Sequence, residues 1–204
     1  MEELQWLALL DSLAEAEARA GAAPYYAAQL RLRTLLPALN ADTRPAPAWL
    51  SALGSPWRNA PSIYVGCGAQ TPLHFDLLEN MLCVVRGRKR VRLWHPAHGE
   101  LLYPGGGGSA NFSRVCLDAV DADAFPRIEE AQARSHSVEL RPGDALYLPC
   151  GWWHAVETPA GERSISVSYW ALQPEGKAWA PTEAEGDEWA DSGGAGEAGI
   201  CIMR

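Results

Sequence analysis

TPLHFDLLENMLCVVRGRKRVRLWHP, residues 71–96, is the stretch on which the fold turns. Two runs inside it, NMLCVVR and KRVRLWHP, have strand length and carry valine, leucine and an aromatic residue. Gly87-Arg88 separates them, and glycine in the first position of a two-residue turn suits a type II′ hairpin. The spacing therefore predicts a hairpin here. TPLHFD reads as a further strand, and residues two apart in a strand share a face, so His74 and Asp76 can bite one ion together. In KRVRLWHP the same alternation separates Lys89 from Arg88 and Arg90, so one parity can turn inward.

Working outward, SIYVGC (62–67), SVEL (137–140), ALYLP (145–149), HAVET (154–158) and RSISVSYWAL (163–172) are short strand candidates. RPGD, between SVEL and ALYLP, has proline second and glycine third, as a type II turn requires. Upstream, residues 2–20 read as an amphipathic helix stopped by Gly21. Pro24 is placed to open a second helix, PYYAAQLRLRTLL, and a helical turn is expected near 47–53. Helices first and many short strands after predict a mainly β fold, an antiparallel sandwich or barrel with an N-terminal helical layer. The layer is expected over 1–57 and the β core over 61–172, together one domain. PGGGGSANFS (104–113) is expected to be a mobile loop beside a pocket mouth.

The chain has 204 residues, 48% of them hydrophobic, enough for one globular domain with its own core. No apolar run has membrane-spanning length, and acids without a basic n-region at the start argue against a secretory leader. The five cysteines are odd in number and form no CxxC pair, so neither a disulfide framework nor a structural zinc site is supported. An intracellular compartment, cytoplasm or nucleus, is expected. Of the net charge of −8, residues 173–204 carry −5 through seven acids and two bases. This acidic segment is expected to be a flexible tail, too polar for an obligate dimer interface, and the chain a monomer.

His154 follows Asp76 by 78 positions, just past PCGWW. Two imidazoles and one carboxylate on one face of an octahedron leave three positions open, a set that suits non-haem Fe(II). HxD alone is better explained by a histidine beside an unrelated aspartate. The surroundings change that balance.

The segments TPLHFDLLENMLCVVRGRKRVRLWHP and LRPGDALYLPCGWWHAVE resemble the JmjC family, as do YYAAQL and SISVSYW. The resemblance runs from Tyr25 to Trp170. It is close to the small JmjC hydroxylases, and PLHFDLLENMLCVVRGRKRV is locally similar to the tRNA wybutosine hydroxylase. It implies a double-stranded β-helix, a distorted, cupin-like jelly roll. It implies His74, Asp76 and His154 as iron ligands. It implies Lys89, with Thr71 and Tyr26, at the C5 carboxylate of 2-oxoglutarate, and Asn80 near iron and co-substrate. Ser168 stands where relatives often carry asparagine, a shorter reach toward the co-substrate.

The reaction implied is Fe(II)- and 2-oxoglutarate-dependent hydroxylation of a macromolecule by O₂, releasing succinate and CO₂. A protein side chain is the first choice of substrate. A tRNA base, or an inactive binding module of the same fold, is the alternative. The arginines at 86, 88, 90 and 92 are what RNA binding would use, and a solvated strand face explains them as well. Lys89 could belong to that solvated edge, Thr71 could merely open a strand, and Tyr26 could be core packing. For Thr71 to share the site with His74, a kink or bulge is needed at Pro72. Trp152 and Trp153 are expected to pack, and His95, His98 and His136 to lie on the surface.

Overall fold

A computed structural model describes residues 25–43, 54–56, 61–172 and 202–203. The helix expected over 2–20, the turn near 47–53 and residues 173–201 lie outside these. Among the described residues, ten strands form two antiparallel sheets. In chain order they are β1 (Tyr25–Arg31), β2 (Ser55–Pro56), β3 (Ser62–Cys67), β4 (Glu79–Arg86), β5 (Lys89–Trp94), β6 (His136–Leu140), β7 (Ala145–Leu148), β8 (Trp153–Glu157), β9 (Arg163–Leu172) and β10 (Ile202–Met203). The larger sheet runs β1-β3-β9-β4-β7-β10, with β2 on the end of β9, and the smaller runs β6-β5-β8. This is the mainly β, jelly-roll architecture expected.

The two expected hairpin strands lie in different sheets, and that corrects the hairpin. β4 pairs with β7 and β9, whereas β5 pairs with β6 and β8. Gly87 is a corner between sheets. Its φ is 72°, and a Cβ there would lie 2.0 Å from the Arg163 carbonyl oxygen, so both conformation and space demand glycine. RPGD does form the expected turn, with Gly143 at φ 97° and Asp144 N–H donating to the Arg141 carbonyl at 2.9 Å. It too joins strands of different sheets.

A second correction concerns PYYAAQLRLRTLL. Residues Tyr25–Arg31 form β1 along β3, and helix begins only at α1 (Leu32–Leu35) and α2 (Pro37–Asn40). The free edge of β3 offers a ladder that outweighs the local helix pattern. The register slips between Ala27 and Leu30, where Gln29 adopts φ 53°. A third helix, α3 (Ile128–Ala133), lies beyond the long connection from β5.

Alternation divides the apolar residues into three clusters. Ile63, Val65, Met81, Val167 and Tyr169 cover the outer face of the larger sheet beneath Leu32 and Leu36. Leu82, Val84, Val91, Leu93, Leu146, Leu148 and Val156 fill the space between the sheets. Trp94, Trp153 and Leu73 pack with Ile128 and Ala131, and Trp94 Nε1–H donates to the Ala131 carbonyl at 2.8 Å. The same alternation along β9 buries Ser164, Ser166 and Ser168. They share the face opposite Val167 and Tyr169, so the interior has a polar end.

β10 extends the edge of β7, pairing Ile202 with Leu146 and Met203 with Ala145. Part of the tail expected to be flexible is thus a strand.

Candidate active site

TPLHFD is not a regular strand. Residues 69–74 run along the outer edge of β8 through separate contacts: Thr158 N–H to the Ala69 carbonyl, Thr71 N–H to the Val156 carbonyl, and His74 with His154. Between these contacts two residues, Pro72 and Leu73, stand opposite one, Ala155. The extra residue beside Pro72 is the bulge that Thr71 requires to share a site with His74. His74 and His154 exchange both backbone hydrogen bonds, at 3.0 and 2.7 Å, which sets their side chains abreast. The imidazole centroids are 4.4 Å apart. Gly151 N–H donates to the Asp76 carbonyl at 2.9 Å and holds the third residue against the PCGWW turn.

Asp76 Oδ1 lies 3.9 Å from His74 Nε2, and Oδ2 lies 3.4 Å from His154 Nε2. One ligand atom from each of the three residues falls within 4.8 Å of the others. The tautomers follow from the backbone. His74 Nδ1 faces the Pro72 carbonyl at 2.7 Å and His154 Nδ1 faces the Trp152 carbonyl at 2.9 Å. A carbonyl only accepts, so each Nδ1 carries a proton and each Nε2 is turned toward Asp76. Burial, and then the His154 ring, lower the proton affinity of His74 against the opposing pull of Asp76. Burial alone would raise the Asp76 carboxyl, but hydrogen bonding and charge from His154, then His74, hold it below the usual range. Two Nε2 atoms and a carboxylate thus converge on one point.

Lys89 is the second feature. It is 1% exposed, and no carboxylate pairs with it among the described residues. Its Nζ donates to Thr158 Oγ1 at 3.0 Å and lies 5.0 Å from the centroid of the Tyr26 ring. Burial lowers its pKa from 10.5 to about 8, and burial raises the Tyr26 phenol to about 12. Asn80 is buried, and its Oδ1 has no hydrogen-bond partner among the described residues. Thr71 Oγ1 accepts from Val156 N–H at 2.9 Å, leaving its hydroxyl proton to donate elsewhere. Ser168 is buried on β9 between Ser62 and Leu82. The donor set fits Fe(II), and a buried cation with no carboxylate partner among the described residues fits a small dicarboxylate.

Several residues here escape sequence reasoning. Thr158, not Thr71, is the hydroxyl that Lys89 touches, although strand parity puts His154, Val156 and Thr158 on one face. Tyr64 hydrogen-bonds the side chains of Gln29 and Trp170, and burial, with Tyr26 and Asp76 adding, pushes its phenol up. Buried Glu79 accepts from Tyr147 Oη–H at 2.7 Å and from Cys150 N–H at 3.1 Å, bracing the turn that delivers His154. Phe112, from the glycine-rich segment, stacks on His74 with centroids 5.5 Å apart and remains 41% exposed. That segment lies beside the site as expected, but as a bonded turn. Phe75 N–H donates to the Asn111 carbonyl, Gly105 N–H to that of Phe112, and Ser113 N–H to that of Leu73. His98, expected on the surface, is buried.

Of the arginines at 88, 90 and 92, the first two meet acids and the third an aromatic ring. Arg88 bonds Glu162 and Glu139, Arg90 lies 3.7 and 3.8 Å from Glu139 and Glu157, and Arg92 lies over the Trp94 ring.

Comparison with known proteins places these features in context. A family model described as "Cupin-like domain" matches residues 2–173. Jumonji C domain-containing protein 5 of Drosophila melanogaster is 35% identical over 155 residues, 74% of this chain and 38% of that protein. Lysine-specific demethylase JMJ31 of Arabidopsis thaliana is 38% identical over 104 residues, 50% of this chain and 19% of that protein. HSPB1-associated protein 1 of Homo sapiens is 35% identical over 127 residues, 59% and 25% respectively. The matched region thus spans well under half the length of each of these relatives. A solved oxalate decarboxylase from Lactobacillus farciminis covers 57% of this chain and 25% of its own at 12% identity, with a TM-score of 0.30, too low to carry an argument.

Proposed function

This chain belongs to the cupin-like domain family, with Jumonji C relatives, and from that membership we propose that it is an Fe(II)- and 2-oxoglutarate-dependent oxygenase hydroxylating a protein side chain. The observation that carries the reading is Lys89, a buried ammonium without a carboxylate, in the same interior as three residues offering an open-sided ligand set. His74, Asp76 and His154 would hold the iron. Lys89, with Thr71 and Tyr26, would hold the far carboxylate of the co-substrate, and Asn80 its near end. When bound, iron and 2-oxoglutarate together activate O₂, one oxygen atom passing to succinate and one to the substrate C–H bond, with loss of CO₂.

The protein contributes position and dryness. The carbonyls of Pro72 and Trp152 hold both rings through Nδ1 and turn both Nε2 atoms toward Asp76. The ladder between residues 69–74 and β8 fixes their separation. The apolar residues between the sheets exclude water below the site.

RNA as substrate has less support, because Arg88 and Arg90, two of the four arginines that would contact phosphate, already face Glu139, Glu157 and Glu162. Several relatives are called demethylases, and the same chemistry on an N-methyl carbon would give that outcome. The test is to incubate protein with Fe(II), 2-oxoglutarate and cell extract, measure succinate, and search peptides and tRNA for gain of one oxygen. Iron-dependent succinate with an oxygenated peptide supports the reading. Iron-dependent succinate with oxygenated tRNA overturns the choice of substrate, and no succinate overturns the reaction.

A further inference from the structure

Lys89 is held by something more specific than burial. Its Nζ donates to Thr158 Oγ1 at 3.0 Å, and Thr158 Oγ1 lies 2.8 Å from Ser164 Oγ. Lys89 and Thr158 are each 1% exposed and Ser164 is fully buried. The three residues come from different parts of the fold. Lys89 begins β5 of the smaller sheet, and Thr158 follows β8, tied by its N–H to the Ala69 carbonyl at 2.8 Å. Ser164 stands on β9 of the larger sheet, paired with Gly66 of β3. The hydroxyl pair therefore spans the interior from one sheet to the other, with a lysine ammonium at one end.

A free lysine side chain has four rotatable bonds, and its charge can sit at many depths. An ammonium donates only, so an acceptor fixed to both sheets selects one depth. The depth of that charge sets how long a dicarboxylate must be to reach from the His74, Asp76 and His154 cluster to Lys89. We propose that Thr158 and Ser164 are positioning residues that set the chain length of the 2-oxo dicarboxylate this protein accepts. The inference rests on the oxygenase reading and adds to it the residues that choose between five carbons and four or six.

The test is equilibrium binding by calorimetry, without O₂, on the full chain loaded with Mn(II) in place of iron. The probes are 2-oxoglutarate, oxaloacetate (one methylene shorter) and 2-oxoadipate (one methylene longer). The wild type should prefer 2-oxoglutarate by about tenfold or more, the scale on which a site reads one methylene. Thr158→Val keeps the shape and removes the acceptor, and the preference should fall toward unity while Mn(II) affinity stays unchanged. Thr158→Ser restores the hydroxyl and should restore the preference. Ser164→Ala, which leaves Thr158 in place, should give an intermediate loss. A Thr158→Val protein that keeps the wild-type ratio overturns the inference alone. So does a Thr158→Ser protein that loses it as fully as Thr158→Val, since that outcome means packing and not the hydroxyl. A wild type that binds none of the three acids overturns the oxygenase reading, and this inference with it.

Discussion

A lysine with one hydroxyl for a partner is costly to bury. The lowering of the Lys89 pKa from 10.5 to about 8 corresponds to about 3 kcal/mol favouring its neutral form. A bound carboxylate offsets that cost, so ligand and proton are linked. Below about pH 8 the free protein already holds the proton that the complex needs. Above it, the proton must be taken up on binding, and 2-oxoglutarate affinity should fall by about tenfold per pH unit. Titration calorimetry of the Mn(II) form from pH 6.5 to 9.5, read at each pH as an affinity, checks this expectation, and a flat profile contradicts it. Lys89→Met should weaken 2-oxoglutarate binding by about 2–5 kcal/mol and leave metal binding intact. Unchanged affinity would return Lys89 to a structural role.

At the scale of elements, the corner at Gly87 joins the two sheets and sets the start of β5, where Lys89 stands. Any side chain there meets the Arg163 backbone and needs a positive φ. Gly87→Ala should destabilise the fold by about 2–4 kcal/mol. Denaturant unfolding measures this, and a change below about 1 kcal/mol would mean that β9 yields easily. Gly106 and Gly108 have open space around them and should tolerate alanine. Strand positions, the RPGD turn and the inward parity of Lys89 were legible in the sequence, because each depends on nearest neighbours along the chain. Sheet membership was not, since Gly87-Arg88 looks the same in a hairpin and at a corner between sheets. β1 was misread because its partner β3 lies more than thirty residues away. The convergence of His74, Asp76 and His154 was legible through the HxD spacing and flanking segments, whereas the contact of Thr158 with Ser164 joins both sheets and leaves no local pattern.

For the whole molecule, the end of the tail changes an expectation about assembly. Removing residues 173–204 takes away β10 and leaves the N–H and C=O groups of β7 open at the edge of the larger sheet. We expect the full chain to be monomeric in light scattering at micromolar concentration and the truncated chain to associate as concentration rises. Equal behaviour of the two would show that β10 protects nothing. No helix among the described residues is long and apolar enough to cross a membrane.

The most direct test of the central claim is succinate formation from 2-oxoglutarate by purified protein with cell extract as substrate source, with and without Fe(II), compared with Asp76→Ala. Asp76 contributes the single carboxylate of the triad and lies 24% exposed, so its removal should spare the fold. The predicted result is succinate from the wild type only when Fe(II) is present, and none from a folded Asp76→Ala protein. Succinate formed without iron, or at the wild-type rate by Asp76→Ala, would contradict it.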